Sequence, residues 1–156
     1  GCGVTQAGLL VGFKWMELNC KVYGITVSRA RNECIAYIEQ LTKETAEILG
    51  LDLTITSDDI LVFDEYIGDG YSIPSPEGIE SIRLVARTEG IFLDPIYTGK
   101  AIAGLTDLVK KGNISSDKTV IFLHTGGSPS IFSYASAITA SNNSANSLFK
   151  KLPGIK

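Results

Sequence analysis

The sequence predicts an α/β fold, with a mainly parallel sheet and helices on both faces. Short runs of β-branched and apolar residues alternate along the chain with segments in which apolar residues recur at helical spacing. Polar or proline residues open most of the helical segments, and glycine follows several of their ends. The 156 residues, 44% hydrophobic and 20% charged, have the size and composition of one globular domain.

A glycine-rich turn, Gly1–Thr5, opens the chain and leads directly into a predicted helix. That helix carries Ala7, Leu10, Val11, Lys14, Trp15 and Leu18 at helical spacing. Such a turn directs several backbone N–H groups at one point, where the helix dipole favours an anion, and the Thr5 hydroxyl adds a donor. The turn predicts a phosphate site, but ligand-free glycine turns are also common in α/β folds, and the turn alone leaves both interpretations open.

A strand, a helix and a second strand are predicted next. Lys21–Val27 is β-branched and apolar, which is typical of a buried strand. Ser28 is the expected cap of a long helix that ends around Gly50. Ile60–Phe63 then forms a short strand or an extended loop.

Two helices flank a further short strand. Ser75–Glu77 combines a cap, a proline at the first helical position and an acid near the positive end of the dipole, so a helix begins there. Ile91–Leu93 predicts a short strand. The next helix begins at about Thr98 and stops at Lys110–Gly112, where two cations and then a glycine match the negative end of a helix.

The last predicted elements are a strand and a helix. Thr119–Leu123 (TVIFL) is the clearest candidate for a buried strand, and Gly126–Gly127 ends it. Ser128–Pro129 predicts the start of a last helix. From Thr139 the composition turns to Ser, Asn and Ala, so residues 139–156 are expected to be a polar, loose tail.

Composition excludes several function classes. The sequence has no apolar run of the roughly 18 residues that a membrane span needs, and a net charge of −3 without a basic cluster gives no support for nucleic-acid binding. Cys2, Cys20 and Cys34 form no C-x-x-C pair and share the chain with one histidine. We therefore expect no metal site, no disulfide scaffold and a cytoplasmic location.

The beginning of the chain is unusual for an α/β protein. Its only methionine is Met16, and no signal peptide is present in residues 1–20. In such folds a glycine-rich turn normally follows a strand, and here no strand precedes it. An unusual native start and a piece of a longer protein both explain this, and we favour the second interpretation.

Three separated segments resemble the carboxy-terminal half of one enzyme family. They are GCGVTQAGLLVGF, GYSIPSPEGIESIRLVARTEGIFLDPIYTGKAIAGL and VIFLHTGGSPSIFSY, in the family's order and spacing. The family comprises the pyridoxal-phosphate enzymes D-cysteine desulfhydrase and 1-aminocyclopropane-1-carboxylate deaminase. The resemblance covers residues 1–138 and implies part of the large cofactor domain of a tryptophan synthase β-like fold. It also implies that the segment with the lysine that binds the cofactor covalently, and a smaller domain, are absent from these residues or incomplete in them.

The resemblance implies roles for individual residues. The family's phosphate loop falls on Cys2, Gly3, Val4 and Thr5. The family often has serine or threonine in place of the cysteine and the valine, so the hydroxyl of the threonine gains importance. Tyr97 falls on the tyrosine that stacks near the pyridine ring, and Tyr71 falls on a second active-site tyrosine near the substrate.

Thr98 distinguishes the two activities of the family, because it falls on the position that contacts the pyridine nitrogen. The cyclopropane deaminases carry glutamate there, and an anion keeps this nitrogen protonated and the ring a strong electron sink. A neutral hydroxyl does not favour that proton, which suits loss of a β-thiol better than ring opening. Thr125, in HTGG, resembles the desulfhydrase version and is expected to support the same nitrogen or Thr98, although a plain capping hydroxyl fits equally well.

Two further polar residues are given structural roles. His124 ends a predicted strand, and we expect it to be hydrogen-bonded within the fold and not to act as a general base. Lys100 belongs to the motif YTGK, whose lysine in the family is not the one that binds the cofactor.

The resemblance predicts a pyridoxal-phosphate-dependent lyase that acts on a small amino acid. The favoured activity is that of D-cysteine desulfhydrase, which yields pyruvate, hydrogen sulfide and ammonia, in an intact homodimer. The alternatives are 1-aminocyclopropane-1-carboxylate deaminase, which yields 2-oxobutyrate and ammonia, and a non-catalytic fragment that binds phosphate. Residues 1–156 alone are expected to be inactive, because no lysine among them matches the one that binds the cofactor.

Overall fold

The computed structural model describes residues 2–115 and 117–140. In order, these contain α1 (Val4–Trp15), β1 (Tyr23–Ile25), α2 (Arg31–Leu49), β2 (Leu61–Phe63), α3 (Pro76–Glu89), α4 (Thr98–Lys110) and α5 (Ala135–Thr139). Short 3-10 helices span Ser57–Asp59 and Ser128–Tyr134. The chain divides after Glu65 into two compact units, and each has its own hydrophobic core.

The first unit is a strand–helix–strand arrangement preceded by α1. Strands β1 and β2 pair in parallel, with Gly24 opposite Val62, and α2 connects them. The parallel pairing confirms the predicted α/β class. Strand β1 is shorter than the predicted Lys21–Val27, although the Thr26 N–H still donates to the Phe63 carbonyl oxygen at 3.0 Å. The core of this unit is formed by Ala7, Leu10, Cys34, Ile38, Ile60 and Val62.

The start of α2 differs from the prediction. Ser28 is not its cap, because the helix begins at Arg31 with Ala30 as the capping position. The Arg31 N–H instead donates to Oδ2 of Asp64 at 2.8 Å. The cap is therefore supplied by a residue 33 positions further along the chain, which local helix-start signals do not indicate. The C-terminal end agrees with the prediction, since Gly50 follows α2 with a φ of 64°.

The second unit is built on the contact between α3 and α4. Its core consists of Ile79, Ile82, Leu93 and Ile102. Ser75 caps α3 as predicted, because its Oγ accepts the Gly78 N–H at 3.1 Å and Pro76 occupies the first helical position. Helix α4 begins at Thr98 and ends at Lys110, as predicted.

Two predicted strands are wrong. Neither Ile91–Leu93 nor Thr119–Leu123 is a strand in the structure. A strand requires a hydrogen-bonded partner, and neither segment pairs with another in the described part of the chain. Leu93 nevertheless lies in the core, whereas Ile121, at the centre of the predicted buried strand, is 87% exposed. An apolar, β-branched run therefore indicates an extended segment, but it does not determine whether that segment pairs with a neighbouring strand.

The last predicted helix begins where expected but in a different form. Residues Ser128–Tyr134 form a 3-10 helix, and only Ala135–Thr139 is α-helical. The predicted tail was placed from Thr139, which is the last residue of α5. Residues 141–156 of that tail lie outside the described residues.

Candidate functional site

The turn that opens α1 belongs to the first unit and depends on glycine. Gly3 has a φ of 69°, and a Cβ there would lie 2.8 Å from Cγ1 of Ile38 on α2. Both the backbone angle and the packing therefore require glycine. No side chain caps α1, and its first turn contains no acidic residue. Val4 and Thr5 are exposed, so this helix end can receive an anion at its backbone N–H groups.

Gln6 attaches this turn to the sheet, a role that the sequence reasoning missed. The side chain is buried on α1, and its Nε2 donates to the carbonyl oxygens of Val22 at 3.3 Å and Leu61 at 2.9 Å. One residue therefore connects the start of α1 to the segments of both β1 and β2. A buried glutamine among the apolar positions of an amphipathic helix is a signal that could have identified it.

Tyr71 and Tyr97, both predicted at the active site, meet in the second unit. Their phenol oxygens are 2.5 Å apart, and their ring centroids are 6.1 Å apart with a tilt of 58°. Tyr71 is 53% exposed, whereas Tyr97 is half-buried. The structure thus brings together two residues 26 positions apart in sequence, with the hydroxyl of Tyr71 near solvent.

The loop that carries Tyr71 is held from outside by two side chains. Nζ of Lys100 donates to the carbonyl oxygens of Ile67 at 2.7 Å and Gly70 at 3.0 Å. The hydroxyl of Tyr134 donates to the carbonyl oxygen of Ser72 at 2.9 Å. Ser72 itself has a φ of 63°, a left-handed conformation that non-glycine residues rarely adopt.

Thr98 is buried and is held by Asp94, which the sequence reasoning also missed. Oδ1 of Asp94 accepts the Thr98 hydroxyl at 2.7 Å and the Thr98 N–H at 2.8 Å. Its Oδ2 accepts the N–H groups of Ile96 and Tyr97, both at 2.8 Å. Asp94 is 0% exposed, and these four donors satisfy its carboxylate. One carboxylate therefore orders the turn that carries both Tyr97 and Thr98.

The motif HTGG reaches the same carboxylate through its second glycine. Gly127 has a φ of 91°, and a Cβ there would lie 2.5 Å from Oδ1 of Asp94. The segments DPIYTGK and HTGG, which sequence analysis treated as separate motifs, thus converge on Asp94. Thr125 lies two residues before this contact and is exposed; its hydroxyl makes no hydrogen bond to any other described residue.

His124 has the hydrogen bonds of a structural residue. Its Nδ1 accepts the Gly126 N–H at 3.3 Å, which leaves the other ring nitrogen as the donor to the Phe92 carbonyl oxygen at 3.0 Å. Both ring nitrogens are therefore hydrogen-bonded to backbone groups, as expected for a structural role.

Lys100 lies on the first turn of α4 and is 0% exposed. Burial lowers the pKa of its ammonium group, and the charge of Asp69 partly offsets that effect. A lysine near the N-terminus of a helix is also opposed by the helix dipole. This unfavourable position is stabilised by the two carbonyl oxygens that accept from Nζ.

The described residues bring together no group of three or more His, Cys, Asp or Glu side chains that could hold a metal ion. Among the same residues, no helix has both the length and the apolar character required to cross a membrane. Cys2, Cys20 and Cys34 are free thiols, and burial raises the pKa of Cys34.

Comparison with known proteins shows a family and a similar solved structure. Residues 1–126 match the family model described as PALP, pyridoxal-phosphate dependent enzyme. The chain is also similar to a crystal structure described as that of an ACC deaminase homologue, with 36% sequence identity and a TM-score of 0.79 over 88% of this chain. The similar region spans 41% of the length of that structure.

Proposed function

Because this chain belongs to the family of pyridoxal-phosphate dependent enzymes, we propose that it forms part of a lyase that converts D-cysteine and water to pyruvate, hydrogen sulfide and ammonia. Its similarity to a structure described as an ACC deaminase homologue supports an activity among the lyases and deaminases of this family. The observation that carries the choice of substrate is Thr98, a neutral residue at the position where the deaminases carry glutamate.

The residues of this chain fit pyridoxal phosphate. The exposed, uncapped start of α1 offers backbone N–H groups to the phosphate, and the Thr5 hydroxyl offers a further donor. Cys2 and Val4 contribute only backbone donors to this set. When bound, the cofactor supplies an electron sink for negative charge at Cα of the substrate. We propose that Thr98 contacts the pyridine nitrogen of the cofactor and that Thr125 supports the same nitrogen or Thr98.

The hydrogen-bond partners of Thr98 support a cofactor ring that acts as a weak rather than a strong electron sink. The negative charge nearest to its hydroxyl is that of Asp94, and four donors already compensate that charge. The Thr98 hydroxyl donates its proton to Asp94 and accepts the Asp94 N–H at 2.7 Å, so this position is neutral and supplies no proton to the pyridine nitrogen. Elimination at Cβ needs less delocalisation than opening of a cyclopropane ring, so this neutral position favours loss of a thiol.

Tyr71 is proposed to donate a proton to the departing sulfur. Tyr97 donates its hydroxyl to Oη of Tyr71 in this assignment, because Tyr71 is the more exposed of the two phenols. The proton of Tyr71 then points away from the pair. When the C–S bond breaks, sulfur takes the electron pair of that bond and this proton, and solvent restores the proton of Tyr71.

The experiment is an assay of the natural full-length enzyme with two substrates. We expect sulfide and pyruvate from D-cysteine, and little 2-oxobutyrate from 1-aminocyclopropane-1-carboxylate. Rapid formation of 2-oxobutyrate without sulfide would identify the deaminase instead. A protein that binds pyridoxal phosphate but releases neither product would be the non-catalytic phosphate-binding alternative.

The covalent attachment of the cofactor is proposed to use a lysine outside residues 1–156. Lys100 is buried and donates to two carbonyl oxygens, so it is not free to bind the cofactor. Borohydride reduction of the loaded full-length enzyme, followed by peptide mapping, tests this assignment. A pyridoxyl group on Lys100 would disprove it. We also propose that the full-length enzyme is a cytoplasmic homodimer, and light scattering of the same enzyme tests the dimer.

A further inference from the structure

The loop of residues 67–72 has little stabilisation from its own backbone, in which the Ile73 N–H donates a long hydrogen bond to the Gly70 carbonyl oxygen at 3.4 Å. Gly68, Gly70 and Ser72 have φ angles of 67°, 144° and 63°. Alternating left-handed residues of this kind cannot form the repeating hydrogen bonds of a helix or a strand. The shorter hydrogen bonds to its carbonyl oxygens come from side chains outside the loop, Lys100 and Tyr134.

Lys100 provides two of these external hydrogen bonds from a fully buried position. Its Nζ reaches across from α4 to the carbonyl oxygens of Ile67 and Gly70, the latter directly preceding Tyr71. Substitution of an exposed lysine would cost little stability. Removal of this buried one takes the side-chain donor from the Ile67 carbonyl oxygen and leaves the Gly70 carbonyl oxygen with the longer bond from the Ile73 N–H.

We propose that Lys100 is a positioning residue that holds the loop carrying Tyr71, so that the Tyr71 phenol meets that of Tyr97. Helix α4 is then the common support of the pair. Its first turn carries Thr98 and Lys100, while Tyr97 immediately precedes it. The catalytic consequence of this inference rests on the proposed role of Tyr71, whereas the placement of the loop does not.

The first test is ¹⁹F NMR of full-length enzyme labelled with 3-fluorotyrosine, in which Tyr71→Phe assigns the Tyr71 resonance. Lys100→Met is expected to shift or broaden that resonance, and Lys100→Arg, which keeps donors on a long side chain, is expected to restore part of it. Lys110→Met is the matched control, because Lys110 is exposed on the same helix. An unchanged Tyr71 resonance in folded Lys100→Met would overturn the proposal.

The second test measures steady-state kinetics in a double-mutant cycle. Lys100→Met is expected to lower kcat/KM for D-cysteine by about 100-fold, as misplacement of a catalytic group does. The same substitution in a Tyr71→Phe background is expected to cause little further loss, because the residue it positions is already disabled. Equal losses in both backgrounds would indicate a general structural effect and overturn the proposal.

Two outcomes keep the proposal and the proposed function distinguishable. If wild-type enzyme releases no sulfide, the function fails, but the fluorine spectra still decide whether Lys100 places Tyr71. If Lys100→Met does not fold, Tyr134→Phe removes the other loop contact by deleting one hydroxyl, and Lys100→Gln shortens the buried donor. Unchanged Tyr71 resonances in both of these variants would equally overturn the proposal.

Discussion

Thr98 donates both its hydroxyl and its backbone N–H to one oxygen, Oδ1 of Asp94, at 2.7 and 2.8 Å. The sequence indicates a role for Thr98 through its neutral hydroxyl, but it gives no indication of the contact with Asp94. The finding places a buried, fully hydrogen-bonded carboxylate behind the residue proposed to set the substrate choice. Stability and activity should therefore be coupled at this position.

The Asp94–Thr98 contact predicts a measurable coupling energy. Asp94→Ala leaves buried donors without a partner, so we expect a loss of about 3 kcal/mol in the free energy of unfolding. In the double variant Asp94→Ala/Thr98→Val, the loss of unfolding free energy measured with urea should be smaller than the sum of the two single losses by about 1 kcal/mol or more. Thr106→Val, roughly 12 Å further along α4, is the matched control, and its effect should add to that of Asp94→Ala.

Gly127 should tolerate no side chain, whereas its neighbour should tolerate a methyl group at moderate cost. Both Gly126 and Gly127 have positive φ angles, 110° and 91°, but a Cβ meets Asp94 only at Gly127. Gly126→Ala is expected to lower stability by about 1 kcal/mol from backbone strain alone. Gly127→Ala should lower it by about 1–3 kcal/mol more. Equal melting temperatures for the two variants would contradict the contact with Asp94.

Gln6 should matter more than its residue type suggests. Gln6→Ala removes the donor to two backbone carbonyl oxygens, and we expect a loss of about 1–2 kcal/mol in chemical denaturation. Gln40 provides the comparison, because it is exposed and its side chain donates to Glu44 in the neighbouring turn of the same helix. Gln40→Ala should change stability by less than about 0.5 kcal/mol. Similar losses at both positions would argue against the role of Gln6.

The buried ammonium of Lys100 predicts a stability difference that depends on pH. Its folded pKa is lowered from 10.5 by burial, so between the folded and unfolded pKa values the unfolded chain binds a proton that the folded chain lacks. The contribution of this group to the free energy of unfolding therefore rises with pH across the window that ends near 10.5. Urea unfolding measures the free energy of unfolding of wild type and of Lys100→Met at each pH. The value for wild type minus the value for Lys100→Met should increase over this window. A constant difference would contradict the lowered pKa.

Thr98→Glu should affect both reactions and the fold. The new carboxylate would lie beside Asp94 in a buried site, where two like charges are unfavourable, so the melting temperature is expected to fall. Sulfide release from D-cysteine should drop at least tenfold. Thr98→Ser retains the hydroxyl and should keep most of the activity. Unchanged sulfide release in Thr98→Glu would contradict the role assigned to this residue.

Helix positions follow closely from the sequence, since they depend on local signals. Ser75 and Pro76 mark the start of α3, and Gly50 marks the end of α2, because caps and dipoles act within one turn. Ser28 fails as a cap because Asp64, remote in sequence, supplies an acceptor for the first turn of α2. The run TVIFL fails as a strand because apolar, β-branched composition favours extended backbone without providing a partner.

The sequence by itself determined the α/β class, the start of α3, the bounds of α4 and the end of α2. It also determined the glycine-rich turn before α1 and the motifs that resemble pyridoxal-phosphate enzymes. It could do so because periodicity, caps and turn residues act over a few positions. Only the tertiary structure showed that Tyr71 meets Tyr97, that Lys100 donates to the loop that carries Tyr71, and that two motifs converge on Asp94. Such contacts join residues that are distant in the chain, and they depend on buried polar groups finding partners that no local pattern specifies.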